Sequence, residues 1–222
     1  MRQRNISKKI SLVLNLYQSK IFGDYVLKDY RSPWAFKWII SLPFLVVYPY
    51  SYTPTSRLCR EIAFFRYWKN GNKVRAPEIF EVNYKERKIK REYVLGEKLS
   101  VMGFEGFKKL FMTLGIIHSQ RWALGDTKPE NFVYDPKNDI VYVIDAEQSI
   151  KNAREDWMAW DVILSLIFAG VYCLIRKNYE FEELLDQYLK FNDSSYIATI
   201  AYSNLYKIKS QINLFRLNSS RL

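Results

Sequence analysis

RWALGDTKPENFVYDPKNDIVYVIDAEQS, residues 121–149, is the stretch of this chain that says most about fold and chemistry. Gly125 and Pro129 force a loop. Phe132 to Tyr134 and Ile140 to Ile144 are short strand-like runs, separated by Asp135-Pro136-Lys137-Asn138-Asp139, the composition of a turn. A hairpin brings its open ends together, so Asn131 at one end and Asp145 at the other sit side by side. One amide oxygen and one carboxylate make a hard oxygen site suited to Mg²⁺ or Mn²⁺. Lys128 offers a positive charge to a phosphate, and Asp126 is left to orient a hydroxyl or water. Singly, Asp126 and Asn131 would pass as turn formers and Asp145 as a strand-end cap. In this order, with the lysine and the hairpin, they form the working part of a phosphoryl-transfer site, where positioning and charge neutralisation supply most of the catalysis.

Outward from this stretch the chain divides near Gly96. Upstream, Ile10 to Tyr17 and Asp24 to Tyr30 read as strands, with Gly23 between them. Thr55 or Ser56 can cap a helix from Arg57 to about Asn70, with Leu58, Ile62, Phe65 and Trp68 at helical spacing. A strand follows Ala76-Pro77 to about Asn83, and after the charged turn Tyr84 to Lys88 another runs from Ile89 to Leu95. Downstream, Phe104 to Gln120 has the pattern of an amphipathic helix. Glu155 to Ile175 reads as a long helix, and about Phe181 to Lys209 supplies one or two more. The expected fold class is α+β: a small β-rich part with one helix over residues 1–95, and a mostly helical part with a short hairpin over 96–222.

GDTKPEN resembles the catalytic loop of protein kinases, whose pattern runs Asp, x, Lys, Pro, x, Asn. IDAEQS stands where the kinase Asp-Phe-Gly segment would be, one hairpin later. The resemblance implies a two-lobed kinase-like fold using ATP, with a catalytic loop at 125–131 and a metal-binding segment at 145–148. Asp126 would be the catalytic aspartate, Lys128 the phosphate-facing lysine, and Asn131 and Asp145 the metal ligands. VLK at 26–28 is similar to the strand bearing the ATP-anchoring lysine, which makes Lys28 that residue, with Lys20 and Lys37 as alternatives in another register. Glu61 would be its partner glutamate. REYVLGEKL is similar to the hinge between lobes, about 91–96, where the backbone of Glu92 and Val94 would meet adenine. Asp161, in an apolar helix, is placed like the aspartate that braces the catalytic loop through its amides.

Within that superfamily the short segment after Asp145, with no room for an activation loop and no Ala-Pro-Glu, is similar to the small kinase of the KEOPS tRNA-modification complex and to RIO kinases. Lipopolysaccharide-type kinases are a looser likeness. The chain departs from the pattern at three places. No glycine-rich loop precedes Lys28; Leu124-Gly125 replaces His-Arg; and Ala146-Glu147 replaces Phe-Gly, where Glu147 adds a negative charge that either raises metal affinity or points away.

Composition narrows the rest. With 34 Lys and Arg against 23 Asp and Glu, the net charge of +11 suits a polyanion such as RNA, a nucleotide or an acidic membrane surface. A single histidine, His118, excludes a histidine-built metal centre and reads as a packing or hydrogen-bonding residue at a helix end. Cys59 and Cys173 make no disulfide framework, which points to a reducing, cytoplasmic setting. The apolar runs Trp38 to Tyr50 and Val162 to Ile175 fall short of the roughly 20 residues of a spanning helix, so membrane insertion is not expected. The expected activity is an ATP-dependent phosphotransferase acting on a protein serine or threonine, or an ATPase serving a protein complex that handles tRNA. A non-catalytic pseudokinase docking through Trp38 to Tyr50, and a small-molecule or lipopolysaccharide-type sugar kinase, are the alternatives.

Overall fold

A computed structural model describes residues 18–31, 47–175 and 181–219. The strand expected over 10–17, Lys37 and most of the apolar run from Trp38 to Tyr50 lie outside the described residues. The fold is α+β.

The first sheet is antiparallel, built from β1 (Ser19–Phe22), β2 (Tyr25–Asp29), β5 (Lys88–Glu92) and β4 (Ile79–Asn83) in the order β1-β2-β5-β4. β1 and β2 pair from Ser19 opposite Lys28 to Phe22 opposite Tyr25. Only Gly23 and Asp24 remain for the turn, and Gly23 takes a φ of 62°, a conformation that glycine adopts without steric cost. β2 alternates, sending Val26 and Lys28 inward. β5 ends at Glu92 rather than running to Leu95, and beyond it one further bond in the same register, from the Tyr93 amide to the Asp24 carbonyl at 2.9 Å, ties the chain to the turn before β2.

Helix α1 (Pro54–Trp68) lies between β2 and β4 in sequence. Neither Thr55 nor Ser56 caps it. Thr53 does, its hydroxyl accepting the Ser56 amide at 3.2 Å, while Pro54 takes the first helical position. Proline suits that position because its fixed φ is already helical and its missing N–H would be unpaired there anyway. Thr53→Ala is therefore expected to cost about 1 kcal/mol as a lowered urea midpoint, whereas Ser56→Ala stays within about 0.5 kcal/mol.

The strand expected over 76–83 forms only from Ile79, as β4, and a separate short strand lies before it. β3 (Val74–Arg75) joins a different sheet, and Pro77, which cannot donate to a ladder, separates it from β4. That second sheet contains the hairpin of β8 (Phe132–Asp135) and β9 (Ile140–Val143), flanked by β3 parallel to β9 and by β6 (Glu97–Lys98) antiparallel to β8. A two-stranded pair, β7 (Trp122–Ala123) with β10 (Ile150–Lys151), closes the ends of the decisive stretch against each other.

Five helices stand among the described residues: α1, α2 (Phe104–Ser119), α3 (Glu155–Ile175), α4 (Phe181–Leu189) and α5 (Ser195–Ser219). Leu110, Phe111, Leu114 and Ile117 of α2, Val162 and Leu166 of α3, Leu184 and Tyr188 of α4, and Ile197 of α5 share one core with Phe64 and Phe65 of α1. The hairpin is sewn into that core through Phe132 and Val143. Among the described residues no helix is long and apolar enough to cross a membrane.

Candidate active site

Lys28 is an inward residue of β2, and only 1% of it meets solvent. A lysine so placed must find anions, since an unpaired buried charge costs far more than any one packing contact returns. Its Nζ lies 2.6 Å from Glu61 Oε2 and 2.9 Å from Asp145 Oδ1. Glu61 occupies the buried face of α1 beside Leu58, Ile62 and Phe65, and also accepts the Tyr30 hydroxyl at 2.6 Å. Lys20, the other described lysine considered for this role, is partly exposed on β1.

A third carboxylate completes the cluster. Glu147 does not point away: it is 1% exposed, its Oε2 lies 3.5 Å from Lys28 Nζ and it accepts from Arg57 Nη1 at 3.1 Å. Arg57 Nη2 donates to the Tyr30 carbonyl at 2.5 Å, and the Gln18 amide donates to Glu147 Oε2 at 2.7 Å. Arg91 feels the carboxylates of Glu61 and Asp145 and donates to the Ile144 carbonyl at 3.1 Å. Among the described residues, Lys28, Arg57 and Arg91 balance Glu61, Asp145 and Glu147. Burial alone would draw the Lys28 pKa down, but Asp145, Glu147 and Glu61 together hold it above the ordinary lysine value.

Glu61, Asp145 and Glu147 bring one oxygen each within 4.8 Å of one another, a spacing that could hold a metal ion. The Lys28 ammonium already answers that trio. Glu61 and Glu147 are sealed, whereas 24% of the Asp145 side chain is exposed, so Asp145 is the member that can meet a cation from solvent. Asn131 approaches from the 3-10 turn that leads into β8. The Ile144 amide donates to its carbonyl at 2.8 Å, which sets Asn131 beside Ile144 and next to Asp145 in register. The amide oxygen and the carboxylate oxygen are the donor types that Mg²⁺ and Mn²⁺ take.

The loop before the hairpin is clamped from below. Asp161, fully buried in α3, accepts the Leu124 amide at 2.6 Å and the Gly125 amide at 2.7 Å. His118 Nε2 lies 3.2 Å from the same carboxylate, and His118 Nδ1 lies 2.9 Å from the Tyr188 hydroxyl. Thr127 donates to the Asp161 carbonyl, and the Tyr50 hydroxyl donates to the Gly125 carbonyl at 2.9 Å. Gly125 has a φ of 72°, and a Cβ there would stand 2.5 Å from the Tyr48 ring. A larger residue would have to move both the loop and that ring. On this base Asp126 carries Lys128, whose Nζ is 3.2 Å from its carboxylate, and its own carbonyl accepts the Asn131 amide at 3.1 Å.

No protein-family model matches this chain, and no curated protein matches it. The structure gathers Lys28, Glu61 and Asp145 into one group and Asp126, Lys128 and Asn131 into another, with the β8–β9 hairpin joining them. In the segment expected to form a hinge, the Glu92 amide is spent on the Glu78 carbonyl at 2.9 Å and its carbonyl accepts Arg91 at 3.0 Å. Val94, 8% exposed, has no backbone hydrogen bond to another described residue.

Tyr30, Arg57 and Arg91 were not among the residues that the sequence singled out. Arg57 did leave a signal, because it stands four residues before Glu61 on a helix face otherwise occupied by Leu58, Ile62 and Phe65. A charge repeated on an apolar stripe asks for a buried partner. Tyr30 and Arg91 left none.

Proposed function

We propose that this chain is an ATP-dependent phosphotransferase of the atypical protein-kinase type. In this reading the sheet of β1, β2, β4 and β5 with α1 forms a small lobe, residues 1–95, and 96–222 form a reduced helical lobe. The observation that carries it is the convergence of Lys28, Glu61 and Asp145, which are 33 and 117 residues apart from Lys28 in sequence yet meet it within 3 Å.

Lys28, held by Glu61, would grip the phosphates of ATP. Asp145 and Asn131 would hold Mg²⁺ or Mn²⁺, which when bound neutralises charge on those phosphates. Asp126 would orient the acceptor hydroxyl and accept its proton as oxygen attacks the terminal phosphorus and the bond to the leaving ADP breaks. Lys128, with 44% of its side chain exposed, can turn from Asp126 to the transferred group. The spare amide of Val94 suits adenine better than Glu92, whose peptide groups are both engaged. The acceptor is a protein hydroxyl, or water when the chain serves as an ATPase within a protein complex. The +11 charge is compatible with tRNA in such a complex.

The test is transfer or release of the terminal phosphate of labelled ATP with Mg²⁺ or Mn²⁺, comparing the chain with Asp145→Asn. Turnover is expected to require the cation and to fall by about 10²–10³-fold in the variant, the scale of losing one preorganised electrostatic contact. Turnover indifferent to Asp145 would sink the reading. One observation favours the pseudokinase alternative: the Gly23-Asp24 turn between β1 and β2 leaves no glycine-rich loop to cover phosphates. Folded protein that neither turns over ATP nor binds a fluorescent ATP analogue would decide for that alternative.

A further inference from the structure

The side of α1 that faces away from Lys28 forms one wall of a groove of about 640 Å³, whose other wall is the segment following Glu147. This volume lies within the range of about 300–1,000 Å³ typical of ligand pockets. Cys59 and Ala63, one helical turn apart, are small and exposed, so a second chain can approach the helix closely there. Arg66 and Lys151 stand at the rim and Arg60 in the wall. The lining contains these three cations and no carboxylate. Arg60 Nη1 already serves the Pro49 and Gln148 carbonyls, at 3.0 and 3.4 Å, which stitches the two walls together. Ser149 Oγ adds a bond to the Arg60 carbonyl at 3.2 Å. Arg66 and Lys151 are the charges on offer.

We propose that this groove is a docking site for an acidic peptide segment of a partner protein, one apolar side chain seated against Cys59 and Ala63 and carboxylates paired with Arg66 and Lys151. Charge complementarity selects an anion, and the apolar floor selects a peptide over a bare phosphate. Nucleic acid fits less well. Bases stack on a row of open aromatic faces, whereas here Trp122 is 2% exposed and Tyr67, 44% exposed, holds Lys151 Nζ 4.8 Å from its ring centroid. A peptide bound here would touch both the helix that presents Glu61 and the segment that follows Asp145. The proposal stands whether or not the chain transfers phosphate.

The test is selection of random heptapeptides on the full chain, counter-selected against Arg66→Glu/Lys151→Glu, followed by anisotropy titration of the enriched peptides. Both positions are exposed, and such changes usually alter stability by about 0.5 kcal/mol or less. Enriched peptides should be acidic around one aromatic or aliphatic residue. Their affinity should fall at least about tenfold in the double variant, or about 1.4 kcal/mol, and hold in Lys85→Glu/Lys137→Glu, which changes charge equally elsewhere. Saturating peptide should also slow alkylation of Cys59 by neutral iodoacetamide, with Cys59→Ser identifying that signal. No enrichment, enrichment of neutral or basic peptides, equal binding to the groove variant, or unchanged Cys59 alkylation would overturn the proposal. So would binding of poly(U) that is lost in the groove variant and competes with the peptides, which would assign the groove to RNA.

Discussion

Lys28→Met should destabilise the protein by about 3–5 kcal/mol, the cost of breaking a buried ion pair from one side. That is a large part of the total stability of about 5–15 kcal/mol expected of a folded domain. The methionine replaces the stem but leaves Glu61, Asp145 and Glu147 without their shared ammonium, beside Arg57 and Arg91, and Tyr30 donates a single hydroxyl to that surplus. The penalty should shrink as pH falls, because an orphaned buried carboxylate escapes by taking up a proton. Lys28 itself offers no such relief. Burial draws its pKa down, but Asp145, Glu147 and Glu61 outweigh burial and raise it above the usual lysine value. Its contribution is therefore complete below the unfolded lysine pKa and is lost only as pH climbs through the folded one. Removing Glu61 as well should restore the balance of charge, so Lys28→Met/Glu61→Met should recover much of the loss. Urea unfolding of the two variants measures this. A loss under about 1 kcal/mol for Lys28→Met, the range of an exposed ion pair, would show that the cluster does not hold the fold.

The period of the apolar residues made most of these elements legible. α2 and α3 run within a residue of where their patterns place them, and the β8–β9 hairpin follows from Asp135-Pro136 and two short apolar runs. The order of Lys28, Glu61, Asp126, Asn131 and Asp145 told which residues to look for, but only the fold shows which of them touch. What stayed hidden depends on contacts between distant segments. Gln148 clasps the backbone of Ser51 with both ends of its amide, at 2.7 and 2.9 Å, across 97 residues. No local pattern announces such a latch. Glu147 was ambiguous for a related reason. One residue of turn decides whether a side chain after a strand faces in or out, and the Ser149 amide bonding to the Ala146 carbonyl at 3.0 Å fixes that turn. The cap of α1 was misplaced for a simpler reason, since Thr53, Thr55 and Ser56 all carry hydroxyls. Pro54 was the discriminating residue, because the first helical position is where proline belongs.

Asp161→Ala should loosen the loop that presents Asp126 without touching any residue proposed to meet substrate. The carboxylate is the acceptor for two buried amides, those of Leu124 and Gly125, and each orphaned donor costs about 1–3 kcal/mol. Asp161→Asn should be milder, because its side-chain amide keeps one acceptor oxygen. The Leu124 amide bonds to Oδ2 and the Gly125 amide to Oδ1. Whichever way the asparagine turns, its NH₂ confronts one of these donors and leaves one orphan where alanine leaves two. His118 adapts to either arrangement, because a neutral imidazole can carry its proton on Nε2 or on Nδ1. Hydrogen exchange reads this directly: protection of both the Leu124 and the Gly125 amide should collapse in Asp161→Ala, while in Asp161→Asn only one of the two should lose it. Phosphate turnover should fall in the same order, because Asp126 follows Gly125 and inherits its freedom. Unchanged exchange at both amides in Asp161→Ala would mean that Tyr50, Thr127 and the glycine turn hold the loop without the aspartate, and that its place in α3 serves packing alone.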